Sequence, residues 1–317
     1  MTTHRWSASS SSESLRHIAG DPTLTDACCD NADDEDESVE VGREAAPAGP
    51  LRRVVLGVSY DGGSFHGFAA QPGQRTVAGS IASALGKIFA SEPHLVCAGR
   101  TDAGVHARTQ VVHADLPLEV LQRRYGARDG TFELQGLIRS LSHQLGPEIA
   151  VYRAEIAPQG FDARHSAIWR RYRYDIDCSG RPDPVRATST WAIEEHLDLA
   201  AMRLGAYPLI GEHDFAAFCR QRDGEEGPIM RRVLEVGFRL DEDAVIHFEI
   251  SATAFCHQMV RSIVGMLVAI GRGKASAPDV VSMLRSGSRQ GAPTIAPAKG
   301  LSLVAVGYPD ELGGAWR

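Results

Sequence analysis

The stretch CAGRTDAGVHA at 97–107 places one carboxylate, Asp102, between Gly99 and Gly104, two residues after Arg100 and four before His106. General acid–base work by paired carboxylates needs a second acid, and the neighbouring sequence offers none. A metal site needs more ligands. A lone carboxylate beside a guanidinium is favoured in its charged form. Charged and oriented, it can attack an electrophilic carbon and form a covalent intermediate. The same residues also suit an aspartate that only caps a turn. Nucleophile, anchor and turn cap therefore stay open on the local pattern.

Three more groups have the chemistry to join it. Arg100 is close enough in sequence to face the same way as Asp102. Tyr172 offers an aromatic face on which an unstacked base can lie, as well as an ordinary core ring. Arg261 falls on the polar side of an apolar helix. His106 and His113 read as polar loop or strand groups rather than metal ligands.

The elements that must hold these residues follow from periodicity. RVVLGVSY is a strand that ends at Asp61-Gly62-Gly63. In TVAGSIASALGKIF, Val77, Ile81, Ala84, Leu85 and Ile88 recur at helical spacing behind Thr76 as N-cap. HLVCAG and QVVHADL are strands on either side of the Asp102 loop, so the acid sits on a connection at a strand end. LIRSLSHQL is a helix stopped by Gly146-Pro147, and EIAVYRAEIA is a strand. Beyond it, Tyr172, Tyr174 and Ile176 alternate with Arg173, Asp175 and Asp177, which gives a two-faced strand. LDLAAMRLGAYPLIG is a helix, and VLEVGFRL and AVIHFEI form a hairpin through Asp241-Glu242-Asp243. In the next helix Met259, Ile263, Met266, Leu267 and Ile270 make an apolar stripe, with His257, Gln258, Arg261, Ser262 and Gly265 opposite. GLSLVAVGYP closes the pattern as a strand.

The fold class expected is α+β: two mixed α/β units, each with a largely antiparallel sheet, meeting at a central cleft. The units span 51–158 and 159–310. A disordered acidic extension over 1–50 precedes them, and a flexible tail over 311–317 follows. Of the 317 residues, 43% are hydrophobic, enough for a sizeable core. Residues 1–50 hold 11 acids and three arginines; the total charge is −7, so the remainder carries +1. Lys87, Lys274 and Lys299 are the only lysines against 30 arginines, a skew that suits bidentate phosphate and base-edge contacts. No apolar run has transmembrane length, and the N-terminus lacks a secretory core. The six cysteines show no paired CxxC spacing. They are expected as reduced thiols in a cytoplasmic protein, with no metal and no cofactor.

Six blocks in order resemble the tRNA pseudouridine synthase A family. They are YDGGSFHGFAAQPGQRTVAGSIASAL at 60–85, GRTDAGVHA at 99–107, FDARHSAIWRRYRY at 161–174, GEHDFAAFC at 211–219, FCHQMVRSIVGMLVAIGRG at 255–273 and APAKGLSLVAVGYP at 296–309. The chain departs from the family at Phe68-Ala69, where Trp-Gln is usual, and in GLIRSLSHQL, which lacks the usual asparagine. The resemblance implies the pseudouridine synthase fold and a homodimer. It also implies isomerisation of uridine to pseudouridine at positions 38, 39 and 40 of the tRNA anticodon stem-loop. Asp102 would be the catalytic nucleophile, by attack on the ribose carbon or through a glycal. Tyr172 would stack on the uracil and assist loss of its C5 proton. Arg100 would fill the gap left by the flipped base or position the loop, and Arg261 would pair with Asp102. Arg52, Arg53, Arg75, Arg108, Arg164 and Arg170 would supply phosphate contacts. The alternatives are a catalytically silent RNA-binding protein of this fold and a synthase acting on a different RNA.

Overall fold

The computed structural model describes residues 49–181, 183–220, 227–289 and 293–317. The acidic extension lies outside them apart from its last two residues. The first half runs β1 (Leu51–Tyr60), α1 (Val77–Phe89), β2 (Leu95–Cys97), β3 (His106–Pro117), α2 (Leu118–Tyr125), α3 (Gln135–Leu145) and β4 (Ile149–Ile156). The second runs β5 (Trp169–Asp177), β6 (Trp191–Ala192), α4 (Leu199–Ala206), β7 (Gly211–Asp214), β8 (Met230–Leu240), β9 (Val245–Ala252), α5 (Met259–Gly271), α6 (Ala277–Ser286), β10 (Leu301–Gly307) and β11 (Ala315–Trp316).

This is an α+β fold built on one mainly antiparallel sheet, in the order β4-β1-β3-β10-β5-β9-β8-β7. β2 pairs with β3, β6 with β5 and β11 with β10. The two halves meet where β10 enters between β3 and β5. Its contact with β3 is short and parallel, Ser302 opposite His106 and Leu303 opposite Ala107, whereas its contact with β5 runs antiparallel from Leu301 to Gly307. The Asp102 loop therefore opens at the seam of the sheet.

Local chemistry explains the elements nearest that seam. Thr76 caps α1 by accepting the Gly79 N–H at 3.2 Å, as its position before the apolar repeat suggests. On β5 the side chains alternate as expected: Tyr172, Tyr174 and Ile176 are buried, while Arg173 and Asp175 pair with each other at 3.0 Å on the other face. α5 departs from the expected stripe. Ser262 and Gly265, assigned to its polar side, are buried. A side-chain carbon on Gly265 would collide with the Thr294 carbonyl, so glycine there lets the 294–296 segment lie flat against the helix. Arg261 is the one charged side chain the helix carries.

The last residues correct another expectation. In place of a flexible tail over 311–317, Ala315 and Trp316 pair with Gly307 and Val306. Trp316 is buried, with the Arg153 guanidinium 3.9 Å above its ring. An aromatic surface of that size is retained in the core by burial and by the cation on its face.

His113 on β3 is 3% exposed, and its Nδ1 accepts the Ala163 N–H at 3.0 Å, tying the first half to the turn before β5. Burial, and then the charge of Arg53, lower its pKa, with Asp162 and Asp115 opposing. On unfolding it returns to its ordinary value of 6.5 and binds a proton. Its contribution to stability is thus present above pH 6.5 and lost as the pH falls from there through the depressed folded value. The urea midpoint should fall between about pH 7.5 and 5.5, and less steeply in His113→Gln. Equal slopes in the two proteins would place the effect elsewhere.

Candidate active site

The Asp102 loop is held from several directions. Its entry is fixed by the Ala98 N–H, which donates to Val111 O at 2.9 Å, and by Gln110, whose side-chain amide donates to Gly99 O at 2.7 Å. Buried Tyr60 shares a 2.8 Å hydrogen bond with the Thr101 hydroxyl, and the Phe68 N–H donates to Thr101 O at 3.0 Å. Phe68, where the family motif has tryptophan, is thus a buried support of the loop. The loop turns on itself where the Val105 N–H meets Asp102 O at 3.1 Å. Gly104 supplies the left-handed backbone this needs, at φ +78°, and lies against Ala298 before β10. A side chain at Gly62 would strike the Val105 carbonyl, so the β1–α1 connection packs directly on the loop's exit.

Asp102 and Arg261 are 159 residues apart in sequence and meet here. Arg261 Nη1 donates to Asp102 Oδ2 at 3.1 Å, while Nε donates to Ala296 O at 2.9 Å. The second bond fixes the guanidinium plane, so a single charge-assisted contact aims one carboxylate oxygen. The Ala296 N–H in turn donates to Arg261 O at 3.1 Å, which fastens α5 to the segment that leads into β10. The Asp102 side chain keeps 25% of its surface exposed against 17% for Arg261. The acid is therefore supported from behind and open in front.

Tyr172 also reaches this place. Its hydroxyl lies beside Gly99, and its ring and that of Phe255 meet edge to face, with centroids 5.0 Å apart and planes at 86°. It is 7% exposed, so most of the ring is covered. Burial raises its pKa, the charge of Asp102 adds to the rise, and Arg170 opposes both. The phenol is neutral at physiological pH. Arg100, two residues before Asp102 in the chain, is exposed and near enough for its charge to act on Cys97. Burial outweighs it there and pushes the Cys97 thiol up to about 12, which makes that cysteine inert.

Two groups take places at the site that the sequence reading did not give them. His257 lies with Nε2 3.5 Å from Asp102 Oδ1. The signal was its place four residues before Arg261. Arg170 is the other. It shares a strand face with Tyr172 and Tyr174, and a cation on a buried face was the clue. Its guanidinium donates to four carbonyls: Ala98 at 3.0 Å, Ala167 at 2.9 Å, Thr253 at 2.8 Å and Arg164 at 2.6 Å. Three of the arginines expected to grip phosphate already have partners within the protein: Arg170 in this way, part-buried Arg53 to both oxygens of Asp115 and to Phe161 O, and Arg75, at the surface, to Glu148 over the Phe65 ring.

The expectation of six reduced cysteines is also corrected. Cys219 and Cys256, with Cα atoms 5.8 Å apart, form a disulfide, and Cys97 and Cys178 are free. Fold contact brings together two thiols that are 37 residues apart. Among the described residues no group of three or more His, Cys, Asp or Glu is placed to hold a metal ion. No described helix is long and apolar enough to cross a membrane.

Residues 206–309, which include Arg261, match the family model described as tRNA pseudouridine synthase. The tRNA pseudouridine synthase A of Leifsonia xyli is 42% identical over 266 residues, covering 81% of this chain and 92% of that protein. The chain belongs to the tRNA pseudouridine synthase A family. The family's protein of the same name from Frankia casuarinae is 43% identical over 263 residues (82% and 91% covered), and that of Mycobacterium leprae is 39% identical over 267 (82% and 91%). Among solved structures, the archaeal box H/ACA sRNP Nop10-Cbf5 complex is matched over 68% of this chain and 44% of that one. The TM-score is 0.30 at 11% identity, too low a likeness to bear on the assignment. In this member of the pseudouridine synthase A family, Asp102 lies against Arg261, one of the two arginines singled out with it in the sequence.

Proposed function

We infer that the protein isomerises uridine to pseudouridine in tRNA, at positions 38, 39 and 40 of the anticodon stem-loop, with Asp102 as nucleophile. The observation that carries this is the Asp102–Arg261 pair on a loop braced at the seam of the sheet. The target base is stacked in RNA and must first be flipped out, at a cost of about a few kcal/mol. Arg100, exposed and two residues before the acid in the chain, takes the space the base vacates. The N1–C1′ bond breaks, the base rotates, and C5 bonds to C1′. The C5 proton leaves and N1 regains one, so atoms balance without cofactor or co-substrate. Two routes use the same charged carboxylate, attack on C1′ and removal of the C2′ proton. Tyr172, a neutral phenol, relays the C5 proton through its hydroxyl rather than holding it as a phenolate base.

The enzyme works on tRNA as a cytoplasmic homodimer in this reading. Exposed Leu204, Tyr207, Ile210, Leu234 and Leu240, on α4, the turn after it and β8, offer apolar surface for a second copy. Carbodiimide–primer-extension mapping on unmodified tRNA carrying U38, U39 and U40 tests the function. Stops at those positions support it. Stops at other uridines in total RNA keep the chemistry and replace the target. Binding without any stop makes the protein an RNA binder.

Arg261→Lys is expected to lower kcat about 10- to 100-fold with a smaller change in KM. An ammonium carries the charge but cannot hold Ala296 O and Asp102 in one plane. Steady-state kinetics on the same tRNA would show it, and an unchanged kcat would remove Arg261 from the role of aiming the acid.

A further inference from the structure

Asp102 has two carboxylate oxygens, and Arg261 holds only Oδ2. A carboxylate gripped by one oxygen can still rotate about its Cβ–Cγ bond. We propose that His257 is the second positioning group, donating from Nε2 to Oδ1 and thereby fixing the plane of the nucleophile. The proposal rests on the synthase reading above.

The distance in the free protein is 3.5 Å, long for a hydrogen bond. Contacts of catalytic groups are commonly loose before substrate binds and tighten in the complex. His257 is also half exposed, at 49% of its side chain, so solvent alone would not hold it there. Its backbone is built into place. The His257 carbonyl accepts the Arg220 N–H at 3.0 Å. Cys256, immediately before it, is bonded to Cys219. The Cys219 carbonyl accepts Arg289 Nη1 at 3.1 Å, and Nη2 of the same guanidinium donates to the Ser262 hydroxyl of α5 at 3.1 Å. Gln258, immediately after, has φ +63°, a left-handed conformation that a side chain adopts at a cost. The Met259 N–H closes the turn onto Cys256 O at 3.1 Å. Four restraints thus hold a sharp, strained turn whose outward product is an imidazole aimed at Asp102. A merely solvated histidine needs none of them.

The geometry also divides the labour between the oxygens. Oδ2 is held at 3.1 Å by a permanent cation. Oδ1, more loosely approached, is the oxygen left to react, and His257 sets its direction without touching the substrate.

The test compares wild type, His257→Ala and His257→Gln, with glutamine retaining an N–H donor of similar reach. Single-turnover pseudouridine formation is measured at saturating tRNA, and tRNA affinity separately by filter binding. The expected result for alanine is a rate about 10- to 100-fold lower, the scale of a misaligned reacting group, with affinity within about twofold of wild type. Glutamine should recover most of the rate. An unchanged rate in alanine, an equal loss in both variants, or a loss carried wholly by affinity would overturn the proposal. Wild type that makes no pseudouridine in any RNA would refute the synthase reading itself and this inference with it. Active wild type with a fully active alanine variant would refute this inference alone.

Discussion

Asp102→Asn is expected to abolish pseudouridine formation while leaving tRNA binding within about twofold of wild type. The substitution changes one atom in shape terms and removes the charge and the attacking oxygen. The amide oxygen can still accept from Arg261 Nη1, and the loop keeps its other supports, Tyr60 on Thr101, Gln110 on Gly99 O and Phe68 on Thr101 O. Folding and RNA binding are therefore spared. The rate is not. Loss of a group that acts at the centre of a catalytic unit costs on the order of 10⁴-fold or more. Single-turnover assays with excess enzyme separate the two effects, and Asn activity within about tenfold of wild type would dismiss Asp102 as the nucleophile.

Arg170→Ala has the largest expected effect on stability. Arg170 lies on the face of β5 that Tyr172 and Tyr174 bury, and burial lowers its pKa, so the desolvation of its guanidinium has to be offset by hydrogen bonds. What surrounds it is four carbonyls, from the start of the catalytic loop, the 164–167 turn and the end of β9. Hydrogen bonds from a charged donor are each worth about 1.5–3 kcal/mol, and orphaned buried carbonyls cost about 1–3 kcal/mol apiece. A loss of about 3–5 kcal/mol follows, allowing for water reaching the outer two. Lysine should restore little, because a single ammonium cannot span a forked set of acceptors. Urea unfolding measures it. A loss below about 1 kcal/mol in alanine would mean that these carbonyls are satisfied without the guanidinium. Hydrogen exchange at Ala98–Val105 should rise in the same variant, since Ala98 O anchors the loop.

Much of the fold was legible where local chemistry is strong. Thr76 and the apolar repeat behind it announce α1, and the alternation around Tyr174 announces β5 and its buried face. α6 was also written in the sequence: Asp279 accepts the Ser276 N–H at 2.7 Å, and Gly287 ends the helix at φ +60°, yet the segment went unassigned. α2 lacks the N-terminal mark, for Pro117 precedes it without a side-chain cap, although Gly126 follows its last turn. The order of the sheet was out of reach, because nothing in β10 says that it lies between β3 and β5. The site shows the same division. Asp102 and its glycine loop stand out locally, but its partnership with Arg261 joins residues 159 apart and was expected only by resemblance. Arg170 shows the converse: an arginine in sequence looks available, and only the packed structure reveals that four carbonyls already occupy it.

The place of β10 has a consequence for how the protein is made. Translation delivers β3 and β5 long before the strand that lies between them. Until residues 301–307 emerge, each flank presents an open edge at the seam, and that of β5 carries Tyr172, Tyr174 and Ile176. Such edges are templates for pairing with other chains. A nascent chain interrupted after α5 would already possess Asp102 and Arg261, but not the strand that brings their two flanks together. Ribosome-stalled or prematurely terminated products should accordingly be inactive and sticky, and a burden on chaperones.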